Sequence, residues 1–196
     1  HVAYLNDPIR WRSRDPELFD ALKTIVDSGR RNVAALERAN LLSDATYFND
    51  PIPTIGPSVE RRSGRLAWFR AAVDRVSDAE IVFLDPDNGL ETANFNPGRS
   101  KAGKSVALSE LEGLRRPRRT LIVYHHQTRM SGGHLLELAH WGKRLASMGF
   151  SVDALRASAF SARAFFLLDA SNDLRDSARA LSREWGDRLT WHPDLG

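Results

Sequence analysis

Two short, unbroken apolar runs constrain this chain more than any other feature: IVFL at 81–84 and TLIVY at 120–124. Runs like these fit strands buried on both faces by helices, as in sheets with a parallel core. The surrounding pattern alternates helices with strands. VAYL (2–5) and ATYF (45–48) read as short strands. DPELFDALKTIVDSG (15–29) opens with Asp then Pro, places Leu18, Leu22, Ile25 and Val26 at helical spacing, and stops at Gly29. RRNVAALERAN (30–40) continues as a second helix, and DPIPTIGPS (50–58) is a loop. The spacing predicts a helix over 61–77 with Leu66, Phe69, Val73 and Val76 on one face and most of its Arg residues outside. A helix near 106–115 and a long amphipathic helix over 131–150 follow, then strands at 151–158 and 162–170 and a C-terminal helix around 171–185. Trp68, Phe69 and Trp141 fall at helical spacing and read as core.

Such alternation predicts an α/β three-layer sandwich with a mostly parallel sheet, in which 81–84 and 120–124 are central parallel neighbours. The two strands after the long helix have no room for a crossover between them, so they are expected to pair as an antiparallel hairpin at one edge. A length of 196 residues suits a single domain. The chain starts at His1 without an initiator Met, which suggests that a native N-terminal segment precedes it.

The absence of cysteine excludes disulfides, zinc–thiolate sites and thiol catalysis. No apolar run approaches the length of a membrane span, and no signal-peptide pattern opens the chain. A cytoplasmic protein is expected. The net charge is only +3, yet Arg is bunched at Arg61, Arg62, Arg65 and Arg70 and again at Arg115, Arg116, Arg118 and Arg119. Such clusters can meet nucleic-acid phosphates; they also suit a solvated helix face and a basic loop.

In an open parallel sheet, ligands bind beyond the carboxyl ends of the strands. Asp85, Asp87 and Asn88 lie there after the first apolar run, with Glu91 close by, and His125, His126 and Gln127 lie there after the second. If the strands are neighbours, about 4.8 Å apart, the two polar groups share one crevice. DPDNG is also ordinary turn chemistry, but a turn does not require two carboxylates and a nearby Glu. A His at such a place could act as an acid or base near neutrality, or sit in the core bonded to backbone. Asp85, Asp87 and His125 would also suit Mg, Mn or Zn as a ligand set.

GRSKAGKS (98–105) satisfies the P-loop pattern, but polar LETANFNP precedes it where a buried strand is required. It reads instead as a mobile basic loop whose Lys101 and Lys104 are free to touch phosphate. TRMSGGH (128–134) enters the long helix, whose first N–H groups could attract an anion beside Arg129, or simply be capped by Ser131.

The terminal strand–helix–hairpin order resembles the class I methyltransferase fold, with 81–84 as its fourth strand, 120–124 as its fifth and the hairpin as its last two. Asp85-Pro86 is similar to the start of the Asp-Pro-Pro-aromatic motif of amino-methyltransferases, although Asp87 and Asn88 replace the second Pro and the aromatic. FLDPDNGLE, YHHQTR and GRRNVAALERANLL resemble an uncharacterised bacterial family of methyltransferase-like (Rossmann-like) fold, distantly like the three-cysteine-motif partner proteins. The resemblance implies S-adenosylmethionine as cofactor and nucleic acid as substrate. Asp85 would then position the acceptor amine, and a His would take its proton. No Gly-rich cofactor turn appears in residues 1–60. Two alternatives stand beside this reading: a metal-dependent hydrolase or nuclease, and a non-catalytic nucleic-acid-binding partner of the same fold.

Overall fold

The computed structural model describes residues 3–158 and 161–196. The chain forms two compact units, His1–Pro51 and Ile52–Gly196. In the first, α1 (Pro8–Trp11), α2 (Pro16–Asp27) and α3 (Val33–Ala39) follow one another. Asp15 caps α2 by accepting from the Leu18 N–H, with Pro16 in the first helical position, and Asn32 caps α3 through the Ala35 N–H. The strands expected at 2–5 and 45–48 are absent among the described residues: Ala3–Asn6 is a 3₁₀ turn and 45–48 is irregular. A strand needs a partner ladder, and the described part of this unit offers none.

The second unit contains α4 (Ser58–Arg75), β1 (Ile81–Leu84), β2 (Gly89–Leu90), β3 (Ser105–Val106), α5 (Leu108–Leu114) and β4 (Thr120–His126). It continues through α6 (Gly133–Ser147), β5 (Val152–Ala157), β6 (Arg163–Leu168), α7 (Asn172–Trp185) and β7 (Leu189–His192). The five-stranded sheet has the order β1-β4-β6-β5-β7, and β2 and β3 form a separate parallel pair.

The expectation of a mostly parallel sheet is corrected here. β1 and β4 are parallel neighbours, but β4–β6, β6–β5 and β5–β7 are antiparallel; β1 lies at an edge rather than at the centre, and the β5–β6 hairpin is not at an edge as expected, because β7 pairs outside β5. The cause is the short link from Ala157 to Arg163. It forces β6 to run back along β5, and β6 then inserts between β4 and β5. β1, β4 and β5 still point the same way, as helical crossovers require, but β6 separates the last two.

One sheet face carries Val82, Leu121, Val123, Phe166 and Leu168 against Leu111 of α5 and Leu138, Trp141 and Leu145 of α6, with Phe69 and Val73 of α4 packed alongside. On the other face, Leu155, Leu167 and Leu189 pack with Ala178 and Leu174 of α7. This second cover does not extend over β1, where Ile81 and Phe83 remain 51% and 55% exposed. The IVFL run is therefore buried on one face only.

Most of the clustered Arg residues lie outside as expected, with Arg62, Arg70, Arg115, Arg116 and Arg118 exposed, but two do not. Arg65 and Arg119 are buried. Arg119 donates to the carbonyls of Val76, Ser77, Ala79 and Leu114, closing the end of α4 against the start of β4. Arg61 binds the Gly98 and Gly56 carbonyls, Arg116 the Ser77 carbonyl, and Arg115 pairs with Asp169. Much of the clustered charge ties protein segments together.

Candidate functional site

Pro86 restricts Asp85 to extended backbone, so the side-chain alternation of β1 carries on through it. Asp85 thus leaves on the face of Ile81 and Phe83, the one α7 does not reach. The parallel register pairs Leu84 with Val123, which brings Asp85 alongside Tyr124. Tyr124 lies directly opposite Phe165, and the two rings meet edge-on at 5.7 Å, with Phe83 6.5 Å from Phe165. The Tyr124 hydroxyl and His126 Nδ1 are 3.3 Å apart, and His126 is exposed. Partial burial, and then the neighbouring charge of Asp87, raise the Asp85 pKa above the usual carboxylate range. An aromatic surface thus borders a carboxylate and an imidazole at one open edge of the sheet.

The rest of the loop turns back onto the sheet. Asp87 pairs with Lys104 at 3.2 Å, the Asn88 N–H donates to the Lys104 carbonyl, and the Glu91 N–H donates to the Val106 carbonyl. Glu91 accepts from the Leu108 N–H at the start of α5 and lies 3.7 Å from Arg144. Glu91 and Asp87 therefore brace the loop, while Lys101 and Arg129 are exposed. Ser105 of the P-loop-like stretch opens β3 rather than a helix, so the stretch lacks the helix start that a phosphate cradle uses.

His125 is placed quite differently from His126. Strand alternation turns it to the opposite face, where it is 1% exposed. Its Nδ1 accepts from the Leu90 N–H at 3.1 Å, which leaves the ring proton on Nε2 to donate to Glu137 Oε1 at 3.2 Å. Glu137, also 1% exposed, further accepts from the Thr128 N–H and hydroxyl. Gly89 makes this docking possible: its φ is +98°, and a Cβ there would lie 2.6 Å from the His125 Cα. The carboxylate partner of His125 is Glu137, not Asp85. With both ring nitrogens engaged, the set Asp85, Asp87 and His125 does not fit a metal ion as folded. Among the described residues no three His, Asp or Glu side chains are placed so as to hold a metal ion together.

Sequence reasoning missed Tyr124, Phe165 and Glu137. Alternation along TLIVYHH could have separated the two His residues. Glu137 lies on the same helical stripe as Leu138, Trp141 and Leu145, so its burial was also readable.

The buried pair makes stability sensitive to acid. Burial lowers the His125 pKa, outweighing the contribution of Glu137, so the unfolded chain takes up the proton more readily. His134 and His192, lowered mainly by burial, act in the same direction. Burial alone would raise the Glu137 pKa, but hydrogen bonds from Thr128 and His125 hold it below its ordinary value, which adds a loss at lower pH. Stability is therefore full above the unfolded His value, about 6.5, and falls as pH drops below it. Urea midpoints at pH 7.5 and 5.5 should show this decline, and His125→Gln should reduce it. An equal decline in wild type and variant would remove His125 from the account.

No family model, curated protein or solved structure matches the chain.

Proposed function

We propose that the chain is a class I methyltransferase-like protein whose acceptor side lies at the end of β1 and takes a planar, amine-bearing base of nucleic acid. What carries this reading is the register of β1 on β4, which runs Asp85 out alongside Tyr124 on the face of the open aromatic surface of Phe83, Tyr124 and Phe165. A base stacks on such rings through its π face, and Asp85 accepts a hydrogen bond from its exocyclic amine. These rings supply the stacking surface that Asn88 cannot. His126, oriented by Tyr124, is the base nearest this surface on its own strand. The strand sequence supports the same reading: the second strand of the hairpin inserts beside β4, as the last strand of the methyltransferase fold inserts beside its fifth.

S-adenosylmethionine would supply the methyl group. The described residues of His1–Pro51 contain no strand with a Gly-rich turn to hold it. A second reading is a partner protein that binds nucleic acid through the same surface without catalysis. Both readings predict that single-stranded oligonucleotides containing adenine bind more tightly than the same strands containing purine, which lacks the amine. Asp85→Asn should remove most of that preference, and Phe83→Ala should weaken both by about tenfold, as expected for one lost stacking contact. Transfer of labelled methyl from S-adenosylmethionine to the adenine strand separates enzyme from partner. Equal binding of the two strands, unchanged by Asp85→Asn, would overturn the assignment of this surface.

A further inference from the structure

A second polar cluster lies on the opposite sheet face, beneath the start of α6. His125 and Arg156 both register against Ala164, so the three side chains form one row across β4, β6 and β5 and share a face. His192 on β7 registers against Ala154, two residues from Arg156, and so shares that face too. His134 occupies the first turn of α6, one helical turn before Glu137, whose carboxylate reaches His125.

The members nearest β4 are satisfied: His125 and Glu137 bind each other, Leu90 and Thr128. The remaining members are not. Both ring nitrogens of His134, Nε2 of His192 and Nε of Arg156 are buried with no hydrogen-bond partner among the described residues. His134 is 9% exposed, whereas Arg156 and His192 are half-buried and reach the surface. Unpaired buried polar atoms are costly, and a guanidinium with two imidazoles has an excess of donors. The start of α6 adds to this excess, because its N-cap is Gly132 and no side chain, Ser131 included, caps it.

We propose that His134, Arg156 and His192 form an oxyanion site between the first turn of α6 and the β5–β7 edge, which takes a phosphate or carboxylate group. Arg156 contributes the fixed charge and two or more donors, the imidazoles contribute one donor each, and the free N–H groups of α6 favour negative charge at that end. The Glu137 charge is the opposing group on this face, and its hydrogen bonds from Thr128 and His125 occupy it. The site is independent of the surface at Asp85.

Inorganic phosphate and, separately, acetate are titrated into the whole chain while the imidazole ring signals are followed by NMR. A saturable shift at His134 and His192, with none at His140, is expected. Phosphate alone acting assigns a phosphate group; acetate acting as well assigns a carboxylate too. Arg156→Gln should weaken binding at least tenfold, and Arg156→Lys should restore part of it. Asp85→Asn should leave it unchanged, which separates this site from the proposed acceptor surface. Should Arg156→Gln fail to fold, His192→Gln carries the same test. Shifts that never saturate, or that match those at His140, or affinity retained in Arg156→Gln or His192→Gln, would overturn the proposal.

Discussion

Glu110→Ala should lower the free energy of unfolding by about 3–5 kcal/mol, the usual cost of leaving a buried charge without its partner. Arg65 is 4% exposed and donates Nε and Nη2 to the two Glu110 oxygens, each at 2.7 Å, in a two-pronged pair. Its remaining donors go to the carbonyls of Ala102 and Ser105, so one guanidinium fixes the 98–105 loop to α4 and α5 together. Glu110 also accepts from the Ala107 N–H at the start of its own helix. Truncation at Glu110 therefore strands the guanidinium and frees a helix start in a single step. Joint replacement by Arg65→Met and Glu110→Leu should recover part of the loss, because no charge is then left buried alone, although the Ala102 and Ser105 carbonyls and the Ala107 N–H still lose their partners. Urea unfolding followed by Trp fluorescence measures both variants. A single variant as stable as wild type, or a double variant no better than the single, would show that the pair contributes little.

Gly89→Ala should be nearly as damaging, and its effect should reach the proposed acceptor surface. The backbone at Gly89 has φ +98°, where a Cβ costs about 1–2 kcal/mol. The new methyl would also overlap His125, at 2.6 Å from its Cα, and such overpacking costs about 1–3 kcal/mol more. The loop cannot keep both its conformation and its place on β4. Either the fold loses about 2–5 kcal/mol, summing these two terms, or residues 85–91 lift away and the Leu90 N–H leaves the His125 ring. Hydrogen exchange at the Leu90 amide distinguishes the two outcomes, and oligonucleotide binding should fall in both. A variant with wild-type stability and a protected Leu90 amide would contradict the docking described here.

Local pattern made much of the fold legible. The IVFL and TLIVY runs are β1 and β4, parallel and adjacent, and the hairpin and the principal helices lie within a few residues of their expected places. Sheet order was not legible, because which strand β6 sits beside depends on tertiary packing rather than on its own residues. The pair β2–β3 is two residues long on each side, too short to leave a periodic signal. Arg65 was legible in principle: it stands four residues before Phe69 and eight before Val73, in line with the buried stripe, while Leu66 lies off it at 52% exposed. Reading Arg as solvated by type concealed that alignment. At the site, the place of Asp85 beside β4 was readable from strand ends alone. The division of His125 from His126, and the recruitment of Tyr124 and Phe165, depended on which sheet face each residue takes.

The insertion of β6 between β4 and β5 has a consequence for the order in which the molecule can assemble. β4 and β5 are successive in the chain but never touch as strands; each reaches the other only through β6. During synthesis, the chain through Ala157 therefore presents β4 with an open edge on the side away from β1, bearing the unpaired N–H and C=O groups of Leu121 to His126. That edge is a template for pairing with other chains until Leu168 has emerged and the hairpin docks. The apolar row Leu121, Val123, Phe166 and Leu168, fully enclosed in the finished molecule, is completed only in this step. A nascent chain halted between residues 158 and 162 should accordingly be more aggregation-prone than one in which β6 has emerged and closed this edge of β4.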